Sequence, residues 1–135
     1  MSRAAALALL VVLFAGCNGG TVDAHALKRD SEKISSVASE GELLADDVSK
    51  GASTRNFTRV HAKELSQFAS KMASSLATRP VSPGIEQKVH ELSRLAAKVA
   101  RQLDQLRLQP TDRSVAKSLA QPLAEDADAA KKLGK

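Results

Sequence analysis

A chain of 135 residues with net charge +5, one cysteine, three phenylalanines and neither tyrosine nor tryptophan has the size of a single modest domain with an aliphatic core. A lone cysteine excludes an internal disulfide, so stability must come from aliphatic packing, assembly or attachment to something larger. Scarce aromatic residues disfavour a sheet, while abundant Ala, Leu, Lys and Arg favour helices.

In chain order, Arg3 precedes an apolar run over residues 4–15 that ends in small residues and then Cys17, the shape of an export signal. The run is shorter than the roughly 20 residues a bilayer core requires, which predicts a cleaved signal over residues 1–16 rather than a permanent span. The stretch Leu13-Phe14-Ala15-Gly16-Cys17 resembles the bacterial lipobox, with Phe14 where leucine is usual. The resemblance is confined to residues 1–17. It implies diacylglyceryl transfer to Cys17, cleavage before it by signal peptidase II, and membrane attachment through N-terminal acyl chains. At roughly 0.8 kcal/mol per buried CH₂, two or three such chains exceed the limit of single-chain anchoring. Asn18 is not the aspartate that retains enteric-type lipoproteins at the inner membrane. The expected location is therefore the periplasmic side of the outer membrane, with the outer leaflet of the inner membrane as the alternative.

Residues 17–21, containing Asn18-Gly19-Gly20, read as a flexible leash, and residues 22–135 as one helical domain. A first helix is predicted over 22–50, with Leu27, Ile34, Val37, Leu44 and Val48 at three- and four-residue spacing. Gly41 falls on that stripe, where it either bends or splits the helix or lets a neighbour approach closely. Gly51 marks a turn, and Thr54 caps a second helix running to about residue 79, whose apolar face carries Phe57, Leu65, Phe68, Met72 and Leu76. Ser82 as cap and Pro83 at the first helical position open a third helix with a heptad-like seam: Ile85, Val89, Leu92, Ala96, Val99, Leu103 and Leu106. After Pro110, Thr111-Asp112 cap a fourth helix with a shallower face, which Pro122 must kink or divide. The fold class expected is all-α: an antiparallel up-down bundle of four helices on the order of 35 Å long, or three with a loose terminal helix.

Charge is uneven. Residues 22–50 hold seven acids and four bases, net −3, whereas 54–79 hold five bases and one acid, net +4. Such a pattern helps neighbouring helices choose each other, through exposed interactions individually worth little. Alternatively, Arg55, Arg59 and Lys63 on the second helix, with Arg94, Lys98 and Arg101 on the third, form an anion-facing surface for lipid headgroups or an acidic partner. Nucleic acid is excluded as the ligand, because export removes it and no aromatic side chains are free for stacking.

Candidate chemistry is thin. His61, between Phe57 and Leu65 on the second helix's apolar stripe, reads as a neutral core histidine hydrogen-bonded to a neighbour. A haem inside the bundle would need a ligand from elsewhere, since Met72 lies about 16 Å along the same helix. His25 sits near the leash and His90 on the polar side of the third helix, so no metal-ligand motif arises. No G-x-S-x-G, plausible S-x-x-K or glycine-rich phosphate loop is present, and neither enzymatic activity nor a cofactor is expected.

Lys135 at the end of Lys131-Lys132-Leu133-Gly134-Lys135 resembles the C-terminal lysine that major murein lipoproteins join to peptidoglycan. That family is one long coiled-coil helix, however, and four prolines divide this chain. The leading functional expectation is a lipid-anchored interaction module with an envelope protein partner, whose groove accepts a helix in the manner of secretion-system pilotins. The alternatives are an immunity or inhibitor lipoprotein against a periplasmic toxin, and a bundle that binds haem or lipid.

Overall fold

Three extended residues each turn the chain into a helix by offering a side-chain oxygen to an unpaired backbone N–H. Asp23 accepts from Ala26 at 2.8 Å, Thr54 from Phe57 at 3.3 Å and Asp112 from Val115 at 3.0 Å. The Ala26 N–H also holds the Asp23 carboxyl below the ordinary carboxylate range. The structure, a computed structural model, describes residues 20–135. The signal, Cys17 and the first part of the expected leash lie outside them. The helices are α1 (Ala24–Ser49), α2 (Arg55–Thr78), α3 (Glu86–Leu108) and α4 (Arg113–Leu133). Short connections over 50–54, 79–85 and 109–112 force consecutive helices to run antiparallel, giving the expected four-helix up-down bundle.

The helices associate as two intimate pairs, α1 with α4 and α2 with α3, and the pairs meet more loosely. Small side chains cause this. Ala62, Ala69 and Ala73 on α2 oppose Ser93, Ala96 and Ala100 on α3, all buried, and short side chains at a contact bring helix axes toward the lower end of their usual separation. Ser66 donates its hydroxyl across to the Ala100 carbonyl at 2.9 Å, and Ser93 donates to the Ala73 carbonyl at 2.8 Å. Gly41 on α1 lets side chains of both α3 and α4 come close: a Cβ there would meet Leu103 Cδ2 at 2.6 Å and Leu123 Cδ1 at 3.4 Å. Of the two roles open to Gly41, close approach is the one it plays, since α1 runs through it without a break.

The core forms two clusters along the bundle. One, around Leu44, Leu65, Leu103, Leu106 and Leu123, fills the end near the α1–α2 and α3–α4 connections. The other, around Val22, Ile34, Leu76, Val89 and Leu92, fills the end where the chain enters. Val22 makes the entry rigid. It is fully buried and bridges the α2–α3 connection, its N–H donating to the Pro80 carbonyl at 2.8 Å and its carbonyl accepting from Ser82 N–H at 3.0 Å. Arg79 Nε donates to the Gly20 carbonyl at 3.0 Å, while its Nη1 stands 3.6 Å from Oδ2 of the buried Asp30. A second buried carboxylate, Asp126, meets Lys98 Nζ at 2.8 Å and ties α3 to α4.

Three local readings of the sequence need correction. Ser82 does not cap α3, because Gly84, two residues on, adopts a φ of +96°, outside the right-handed helical region. The helix starts at Glu86, whose carboxylate reaches back to the Gly84 N–H at 2.8 Å. Of the two outcomes expected at Pro122, a kink or a division, division does not occur, since α4 continues through it from Arg113 to Leu133. Finally, the buried face of α2 is rotated toward its alanines. Leu65 and Leu76 point inward, Met72 is half-buried, and Phe57 and Phe68 remain outside, because the close α2–α3 contact has room only for small side chains.

Candidate functional site

Because the two helix pairs meet loosely, α1 and α2 leave an open groove between them. Its floor is Val37 and Leu65 and its walls include His61 and Phe68; the volume is about 600 Å³. A shallower continuation toward the α1–α2 connection is lined by Leu43, Leu44 and Phe57. Three large apolar side chains on this strip face water: Leu43 is 65 % exposed, Phe57 57 % and Phe68 43 %. Single exposed apolar residues are ordinary, but several side by side on a concave strip mark a contact surface.

His61 does not enter the core. It is half-buried at the junction of the two hollows and stacks on Phe57, with ring centroids 5.4 Å apart and planes inclined by 24°. The four-residue step between them on one helix sets this contact. Met72 packs against the other core cluster, at the chain-entry end. His25 and His90 are exposed on α1 and α3. Among the described residues no group of three or more His, Cys, Asp or Glu is placed to hold a metal ion.

The rim of the groove is polarised. At the chain-entry end it carries Arg29 and Lys33 together with Glu32; toward the α1–α2 connection it carries Glu40, Asp47 and Glu64 with no lysine or arginine. Long-range fields of this kind choose and orient partners more than they add affinity.

The cationic stripes are only partly brought together. Arg55, Arg59, Lys63, Arg94 and Arg101 are exposed and make no ion pair among the described residues. Lys98 is drawn away to Asp126 on α4. Charge does not pair α1 with α2 as the sequence pattern suggested, since Arg79 with Asp30 is the one ion pair joining them among the described residues. A polar hollow beside Gly20, lined by His25, Arg29 and Arg79, is already occupied by the Arg79 contacts to Gly20 and Asp30.

Leu43 and Val60 were missed as surface features. A signal for the first was available: Leu43 lies nine residues from Ile34, about 180° around the helix from that stripe. No helix of the described residues is long and apolar enough to cross a membrane. The chain matches no family model, no curated protein and no solved structure.

Proposed function

We propose that this protein is a lipid-anchored docking module of the cell envelope. It is held by acyl chains on Cys17 at the periplasmic side of the outer membrane and binds, in the α1–α2 groove, an amphipathic helix of another envelope protein. The observation that carries this reading is the exposed strip of Leu43, Phe57 and Phe68 along the groove, the other exposed large apolar side chains, Val60 and Leu108, standing singly elsewhere. An apolar helix face lying in such a groove is a recurring mode of peptide recognition. The acidic rim of Glu40, Asp47 and Glu64 selects a partner helix with lysine or arginine beside its apolar face. The role is binding rather than catalysis.

The test is a paired substitution, Phe57→Glu with Phe68→Glu, in the full chain expressed in its own cells. Both side chains are exposed, so the thermal unfolding curve should stay within a few degrees of wild type, surface changes being worth about 0.5 kcal/mol or less. On native gels of mildly solubilised envelopes, the wild-type chain should run in an assembly larger than itself and the variant should run alone. Identical mobility of the two, or a wild-type chain that runs alone, would contradict the reading. A larger species containing only this chain would make the occupant a second copy.

A further inference from the structure

We infer that the α2–α3 face lies flat against an anionic phospholipid surface, so that the bundle reclines on the membrane instead of standing on its anchor. This goes beyond the groove and rests only on the tethering part of the reading above.

The face is built from two helical strips. Ser66, Ser70 and Ser74 on α2 line a shallow hollow with Ala97, Arg101 and Asp104 on α3. Steps of three and four residues continue the first strip back through Lys63 and Arg59, and the second back to Arg94. Arg55 lies one turn beyond Arg59. Serines and alanines keep the middle of the face low, so the flanking cations reach past it. Asp104 is the one acid lining the hollow, and Arg107 neutralises it at 2.7 Å. Exposed arginines and lysines with no ion pair among the described residues, spread along two parallel helices, fit the phosphates of a planar anionic surface.

The tether leaves from the chain-entry end of the bundle, beside Arg29 and Ser75. Val22 is bridged to Val81 and Arg79 holds the Gly20 carbonyl, so the chain exits along the α2–α3 connection. Cys17 is three residues farther, at most about 10 Å of extended chain. An upright bundle would hold Arg55 about 36 Å from that end, many times the ~8 Å over which charges act at physiological ionic strength. A reclining bundle brings Arg55, Arg59, Lys63, Arg94 and Arg101 to the headgroups together. Electrostatic attraction then acts as the second signal beside the acyl chains. The groove between α1 and α2 opens sideways, along the membrane plane.

Neutron reflectometry on the purified, naturally processed full chain decides the orientation. The chain would be added to supported bilayers of phosphatidylcholine alone, and of three parts phosphatidylcholine to one part phosphatidylglycerol. On the anionic bilayer the protein layer should be about 20 Å thick, two helix diameters, rising to about 36 Å or more on the neutral one. Raising salt to about 0.5 M, where screening acts within roughly 4 Å, should thicken the anionic layer without any substitution. The combined variant Arg59→Gln, Lys63→Gln, Arg94→Gln, Arg101→Gln should thicken it likewise. Equal thickness on both bilayers, or a layer that stays thin in the variant and in salt, would overturn the proposal. The mass of the purified chain separates the two readings: an acylated chain with a thick layer overturns the orientation alone. An unmodified chain that forms no layer overturns the tethering as well.

Discussion

Gly41→Leu should lower the midpoint of thermal unfolding by about 10–15 °C, the consequence of roughly 3 kcal/mol of overpacking in a domain this size. Even the first added carbon would stand 2.6 Å from Leu103 Cδ2, and Leu103 and Leu123 are themselves fully buried, so the three further carbons have no space to enter. Gly41→Ala differs in kind. The obstructing atom is the tip of a leucine, which can turn aside, and alanine recovers about 1 kcal/mol of helix propensity relative to glycine. Its melting temperature should stay close to wild type. Leu103→Ala alone should cost about 2–5 kcal/mol as a cavity, yet combined with Gly41→Leu it should cost less than the sum, because the new leucine occupies the vacated volume. Circular dichroism melts of the four chains check the cycle, and strict additivity would mean that α1 and α3 do not touch at this point.

Cys17→Ser should abolish acylation of the protein. The variant has no sulfur to accept the diacylglyceryl group. Cleavage by signal peptidase II, which requires the modified cysteine, should also stop, leaving a precursor heavier than the mature form. Metabolic labelling with a palmitate analogue, followed by gel electrophoresis, reads both effects. A labelled variant, or one processed to the wild-type mature size, would exclude the lipobox as the means of attachment.

The parts of the fold legible in the sequence were those set by local chemistry. Thr54 and Asp112 cap helices because a short side-chain oxygen beside an unpaired N–H suffices, whatever packs around it. The third-helix seam was readable because Leu92, Val99, Leu103 and Leu106 repeat with the turn of the helix, and all four are fully buried. What the sequence concealed was set by distant partners. Ser82 and Pro83 have the pattern of a helix start, but Val22, sixty residues earlier in the chain, bonds to Pro80 and Ser82 and bridges Val81, and the helix begins only at Glu86. The phenylalanines of α2 carry the largest apolar surface on that helix, which points them inward by hydropathy alone. Only the intimacy of the α2–α3 contact, built from Ala62, Ala69, Ala73, Ala96 and Ala100, shows why alanine wins the interior and the aromatics line the groove. The groove is therefore a by-product of tight pairing: two close-packed helix pairs meet loosely and leave an open seam between α1 and α2.

That α1–α2 seam is the centre of the account, and its coverage in the cell can be measured directly. Single cysteines would be placed by Leu43→Cys in the groove and by Gln121→Cys on the exposed outer side of α4, and maleimide labelling rates compared in intact envelope membranes and after detergent solubilisation. Leu43→Cys should label several-fold more slowly than Gln121→Cys in the intact envelope, and the two should become equal once partners are dissociated. Equal rates in the intact envelope would mean that nothing covers the groove, and the docking role would fall.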